Sequence, residues 1–171
     1  MGVDTTEEVK KKNKELCSKY PFLVPSNRWS GLKITEADDG GYWPGTPNEI
    51  PEYDYEYTEL DSMPTGWRIA FGEQMCDEIL EELKAHNFVD KYRICQIKEK
   101  YGGLRWYDNG GTEKLYNEII PKYEKMSYKT CIHCGKPATK VSTGWISPWC
   151  DDCAKEVRDN MVDINEYYSN D

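Results

Sequence analysis

Four cysteines carry the most specific chemistry in the chain. Cys131-x2-Cys134 and Cys150-x2-Cys153 are separated by 15 residues, a spacing at which two knuckles bring four thiolates around one ion. Soft sulfur ligands in a closed tetrahedron suit Zn2+, and four cysteines leave no coordination position for water. The predicted role is therefore structural zinc rather than metal chemistry. The same ligand set also admits an iron centre or redox-active thiols, and His133, between the first two cysteines, is the residue able to replace one of them. Gly135 relieves the tight first knuckle, and Thr143 to Trp149 can supply the ribbon that joins the two halves.

A second concentration of useful side chains lies upstream, in the run Gln96 to Tyr107 (QIKEKYGGLRWY). Lys98, Lys100 and Arg105 can meet phosphates, while Tyr101, Trp106 or Tyr107 stacks on a base. Gly102-Gly103 would let the backbone approach closely and offer N–H groups to an anion. The expectation is a nucleotide-like ligand. A purely structural reading of the same residues stands beside it: Leu104 and Trp106 in a core, Gly-Gly making a turn, and solvated lysines. Catalysis finds less support. The chain has no Ser-His-Asp arrangement, Gly-x4-Gly-Lys loop or HExxH, and only His86 and His133 can serve as imidazole bases. A nucleotide-signal hydrolase is the enzymatic alternative.

The elements that must position these groups predict an α+β fold, a small hairpin packed on helices with a C-terminal four-cysteine zinc ribbon. Residues 1–129 form the body and residues 130–171 the ribbon with a terminal helix. Thr5-Thr6-Glu7-Glu8 can start a first helix, since a threonine caps free N–H groups and acids suit the positive end of the dipole. Pro21 ends it, and Tyr20 to Trp29 reads as an extended arm that can press Phe22, Leu23 and Trp29 onto something else. Residues 34–61 read as an acidic loop and strand, with turns at Asp39-Gly40-Gly41 and Trp43-Pro44-Gly45. Tyr53-Asp54-Tyr55-Glu56-Tyr57 alternates at period two, which places the tyrosines on one strand face, either an edge strand or a platform for a partner.

The core helix spans 65–86. Trp67, Phe71, Met75, Ile79 and Leu83 fall at steps of four, with Ala70, Cys76 and Leu80 widening the stripe and Glu73, Asp77, Glu78, Glu81, Glu82 and Lys84 opposite. Gly66 and Gly72 weaken its start, and His86 reads as a helix-end or surface residue. A hairpin over 91–108 follows, with Leu104 and Trp106 on one face and Arg105 and Tyr107 on the other. Thr112 caps a helix over 112–127 that buries Leu115, Tyr116, Ile119, Ile120 and Tyr123, and Pro121 should kink it. A terminal helix from Asp152 to Tyr167 docks the ribbon. Cys17, Cys76 and Cys95 fall on or near apolar stripes and read as core residues.

Charge separates the classes of partner. The chain of 171 residues carries a net charge of -9, and the nine acids between Ile34 and Trp67, a stretch without Lys or Arg, equal that excess. Non-specific nucleic-acid binding needs a clustered cationic surface that this distribution does not offer. The acidic stretch is a solvated face or a surface for a basic host protein, which makes an acidic inhibitor the second functional reading. No run of about 18 apolar residues occurs and the start of the chain is charged, so the expectation is a cytoplasmic protein without membrane contact. Disulfides fit that compartment poorly.

The segments YPFLVPSNRW, YDYEYTELDSMPTGW, QIKEKYGGLRWYD and CxxCGKPAT with the later GWI and CxxC resemble a family of small zinc-ribbon proteins encoded by bacteriophages and prophage-bearing bacteria. The resemblance runs from Tyr20 to Cys153. It implies a phage or bacterial accessory protein acting against host defence in the bacterial cytoplasm, by sequestering a signalling molecule or blocking a host protein. It carries over no catalytic residue.

Overall fold

The structure is a computed structural model that describes residues 6–26, 33–34 and 53–169. Trp29, the turns at 39–41 and 43–45 and the acids up to Glu52 lie outside the described residues. Helix α1 (Glu7–Lys19) opens with the Thr6 hydroxyl accepting from the Val9 N–H, and it buries Leu16 and Cys17. The arm that follows is not extended at first. Pro21–Leu23 forms a 3-10 turn with Phe22 and Leu23 fully buried.

The core helix is a rod of three parts: α2 (Thr65–Trp67), a π-helical turn Arg68–Gly72, and α3 (Glu73–Ala85). The four-residue stripe survives the π turn. Trp67, Phe71, Met75, Ile79 and Leu83 are all buried, each contributing about 1.5–3 kcal/mol by transfer from water. On the polar side the structure corrects one assignment: Glu82 is buried, where its carboxylate accepts from the Thr112 hydroxyl at 2.7 Å. Ala70 is exposed, because the π turn rotates it off the stripe.

Strands β1 (Ile94–Lys100) and β2 (Gly103–Asp108) pair antiparallel, with Ile97 opposite Trp106 and Lys98 opposite Arg105. Only Tyr101 and Gly102 form the loop, both at positive φ (51° and 78°), the twist that a two-residue hairpin demands. The register slips between Ile94 and Gln96, and this irregularity turns Cys95 outward, so Cys95 is exposed rather than in the core. A second π turn (Leu115–Ile119) precedes α4 (Ile120–Ser127). The wider turn lets the helix accept Pro121, which has no N–H to donate, without ending there. Leu115, Ile119, Ile120 and Tyr123 are buried, but Tyr116 is exposed and its hydroxyl donates to Asp108.

Two further expectations are corrected. Residues 53–57 do not form a strand: Tyr55 takes φ 62°, which reverses the chain and destroys the period-two alternation. Tyr53 and Tyr55 instead pack on each other at 4.5 Å between ring centroids, and Asp54 pairs with Lys10 at 3.1 Å. Nor is there one terminal helix over 152–167. The C-terminal sheet has order β4-β3-β5, from β3 (Lys140–Ser142), β4 (Ser147–Trp149) and β5 (Met161–Asp163), flanked by short helices α5 (Asp151–Ala154) and α6 (Ile164–Ser169). Val141 of the central strand is fully buried, and Val162 of β5 pairs with it where a continuous helix could not reach. The protein is thus α+β, built from helices and small antiparallel sheets.

Candidate functional site

The four cysteines converge. Cys131 enters its knuckle through an N–H donated to the Lys136 carbonyl at 2.8 Å, and the Gly135 N–H returns to the Cys131 carbonyl at 3.0 Å. Cys150 precedes α5 and Cys153 lies on it, so one turn of helix aims both sulfurs the same way. All four Sγ atoms lie within 4.8 Å of one another, and Cys134 and Cys150 approach to 3.6 Å. Sulfurs placed at about 2.3 Å around a tetrahedral ion sit about 3.8 Å apart, so the donor set fits a four-coordinate metal with no position left open.

Electrostatics makes the same point. The backbone N–H of Cys153, followed by the neighbouring thiols, holds the Cys150 thiol down to about 7, while burial and those same sulfurs push Cys153 up. One thiolate forms readily and suppresses the next. A bound cation is what allows all four to ionise together. His133 stands at 3.6 Å from Cys153 Sγ through Nδ1 but is not a member of the four-sulfur cluster.

The hairpin residues fall into two groups. Trp106 is buried, with its indole N–H donated to the Tyr92 hydroxyl at 2.9 Å, and so cannot stack on a ligand from outside. Gly102 and Gly103 are buried as well: the Gly102 N–H is committed to Glu99 Oε1 at 2.6 Å, and the Tyr128 ring lies where a Gly103 side chain would be. Arg105 is half-buried. Its guanidinium donates to the Leu104 carbonyl at 2.8 Å and the Tyr128 hydroxyl at 3.1 Å, with Glu124 at 3.9 Å.

The remaining hairpin residues share the outer face. Lys98 sits 5.2 Å from the centroid of Tyr107, which is 44% exposed, and Lys100 sits 5.5 Å from that of Tyr101, which is 69% exposed. Neither lysine has a carboxylate within ion-pair distance among the described residues. Beyond the sequence-derived set, the structure adds Trp145, 74% exposed, whose indole N–H donates to Glu99 Oε2 at 3.2 Å beside the hairpin loop. Its sequence signal was position alone. It stands between two three-residue strands, where a large ring has no inward slot.

No family model, curated protein or solved structure matches this chain.

Other polar clusters are satisfied internally. His86 Nδ1 lies 3.0 Å from the Glu82 carbonyl and 3.3 Å from its carboxylate, which Lys114 also approaches at 3.5 Å, beside a cavity of 420 Å³. A larger cavity of 660 Å³ runs along the first π turn, lined by Tyr57, Arg68 and Ile69 among others. Neither borders the hairpin face. In the described part of the acidic tract, Asp54 and Glu56 face Lys10, Asp61 pairs with Arg68 and accepts the Thr58 N–H, and Glu59 accepts the Ser26 N–H. No helix among the described residues is long and apolar enough to cross a membrane.

Proposed function

We propose that this is a non-catalytic binding protein, stabilised by structural Zn2+ on Cys131, Cys134, Cys150 and Cys153, that captures a nucleotide-like ligand on the outer face of its β1–β2 hairpin. One observation carries the reading: two lysines without carboxylate partners among the described residues, each beside an exposed tyrosine ring on the hairpin. Ammonium groups meet phosphate, and neighbouring aromatic planes meet a base. Arg105, opposite Lys98 in the strand register, is tied to Tyr128 and contributes less directly. The four-sulfur donor set supports zinc, since it would close the coordination shell and leave the metal a structural role in the proposed zinc ribbon. The resemblance to phage and prophage zinc-ribbon proteins supports a counter-defence setting in the bacterial cytoplasm, where holding a nucleotide signal away from its receptor is the useful act. A basic host protein is the less favoured partner, since the described acids of the 53–61 stretch are already engaged with their own chain.

Native mass spectrometry of the protein purified gently from a bacterial cytoplasm tests the proposal. The expected spectrum shows one zinc per chain and a nucleotide-sized adduct that disappears in the Lys98→Ala/Lys100→Ala double variant, whose affinity should fall by about tenfold or more. Zinc without any adduct, before and after incubation with metabolite extract, would turn the assignment to a protein partner.

A further inference from the structure

Trp145 serves no core, yet it is held as if its orientation mattered. Its backbone N–H donates to Asp159 Oδ2 at 3.0 Å, and the preceding Gly144 N–H donates to Asp159 Oδ1 at 3.1 Å. Its carbonyl accepts the Ser142 hydroxyl at 2.5 Å, and its indole N–H reaches Glu99 Oε2 at 3.2 Å. Each polar group of the residue is thus engaged while 74% of it faces solvent. A tryptophan that buries little gains nothing for folding from such fixation, whereas a fixed exposed ring has its conformational entropy already spent before a ligand arrives.

The same carboxylate joins this ring to the hairpin. Glu99 Oε1 accepts the Gly102 N–H, and Gly102 lies against Ile146, the residue after Trp145; a side chain added at 102 would stand 3.2 Å from Ile146 Cγ2. The loops of the two hairpins are therefore neighbours. The residue before Gly102 is Tyr101, 69% exposed and held at φ 51°, a conformation that costs a non-glycine residue about 1 kcal/mol or more. Lys100 stands over its ring. An exposed tyrosine in one loop and a hydrogen-bonded exposed tryptophan in the other thus flank the Gly102–Ile146 contact, on a hairpin whose Lys98 and Lys100 have no carboxylate partner among the described residues.

We infer that Trp145, contributed by the C-terminal module, and Tyr101 form the base-stacking platform of the ligand site, so that the site is shared between the hairpin and the metal-bearing module. The inference rests on the ligand class proposed above and adds a division of labour: Trp145 and Tyr101 hold a nucleobase, and Lys98 and Lys100 hold phosphate. Base stacking on an aromatic side chain is tolerant of base identity, so the platform fits nucleoside phosphates as a class. Placing the tryptophan on the module also makes the metal a condition for ligand binding without any contact between them.

The experiment uses the full zinc-loaded chain and three probes in calorimetric titration: ADP, adenosine and pyrophosphate. Trp145→Ala should weaken ADP and adenosine by about tenfold or more and leave pyrophosphate unchanged, while Trp145→Phe keeps most of the affinity. Lys98→Ala/Lys100→Ala should weaken ADP and pyrophosphate and leave adenosine unchanged. ADP binding that Trp145→Ala does not weaken overturns the platform while leaving the proposed function intact. Equal loss of all three probes in Trp145→Ala also overturns it, because the residue would then only support the fold. Absence of binding by any probe removes the proposed function itself, and the platform with it. A short oligoadenylate in place of ADP separates the two sources of this chemistry: tighter binding of the oligomer in a Trp145-dependent way supports the platform with a strand as its ligand.

Discussion

The backbone N–H of Gly66 donates to the carbonyl of Ile132 at 2.8 Å, seating the first turn of the core helix on the first cysteine knuckle. Trp67 reinforces the contact through its indole N–H, donated to the Thr130 carbonyl at 3.0 Å. From the other side, a side chain at Gly135 would stand 2.7 Å from the Gly66 carbonyl, and one at Gly66 would strike the Cys131 carbonyl. Two glycines face each other across the junction because backbone meets backbone there.

This contact sets the sign of Gly66→Ala. In a free helix alanine is better than glycine by about 1 kcal/mol, so helix propensity alone predicts stabilisation. Collision with the knuckle reverses it. Destabilisation of about 1–3 kcal/mol is expected in urea unfolding, together with faster zinc loss to a chelator; a more stable variant would show that the junction opens freely.

Removing the metal tests the module. Cys131→Ser, or chelation of the wild type, should abolish metal binding, expose the amides of β3–β5 to hydrogen exchange and lower the melting temperature of the body through the Gly66 and Trp67 contacts. Cys95→Ser is the control. Its thiol is exposed at a strand irregularity away from the cluster, and both metal content and melting should stay as in the wild type.

Tyr92→Phe isolates a buried polar link. The Tyr92 hydroxyl accepts from the Trp106 indole and donates to Asp108 Oδ2 at 2.7 Å. Phenylalanine fits the same volume but leaves the indole N–H without an acceptor, at a cost of about 1–3 kcal/mol. The urea midpoint should fall while the denaturant slope stays constant.

Acid stability should depend on Asp77. Hydrogen bonds from the Lys19 ammonium and then the Tyr20 hydroxyl hold its carboxyl below the usual range. A carboxyl lowered in the folded state stabilises fully above its unfolded value, about 3.9, and loses that contribution as pH falls through the folded value. Asp77→Asn should therefore be less stable than the wild type at pH 7, and the difference should close below about pH 4. Unfolding midpoints of both proteins across that range give the comparison, and any loss of metal in acid affects both alike.

The spacing of residues along the chain already specified the cysteine cluster, the stripe from Trp67 to Leu83 and the alternation of Leu104, Arg105, Trp106 and Tyr107. These are local relations: a helix or strand fixes which neighbours share a face, whatever lies beyond. Tyr53 to Tyr57 misled for the same reason. Alternation is necessary for a strand but supplies no partner, and one left-handed residue at Tyr55 undoes it. The stretch from Asp152 to Tyr167 contains apolar residues at helical spacing, yet the open edge of β3, remote in sequence, draws Met161–Asp163 into a strand.

The sequence by itself therefore determined the α+β composition, the four-cysteine cluster and the chemical character of the hairpin, because each depends on residue type and short-range geometry. Tertiary structure alone decided which of those groups face outward. It sent Trp106 and both glycines inward, tied Arg105 to Tyr128, left Lys98 and Lys100 without a carboxylate partner among the described residues, and joined Trp145 to the hairpin through Glu99. Exposure is set by what packs against what, and contacts such as Arg105 with Tyr128 or Trp145 with Glu99 join segments that no short window of sequence contains.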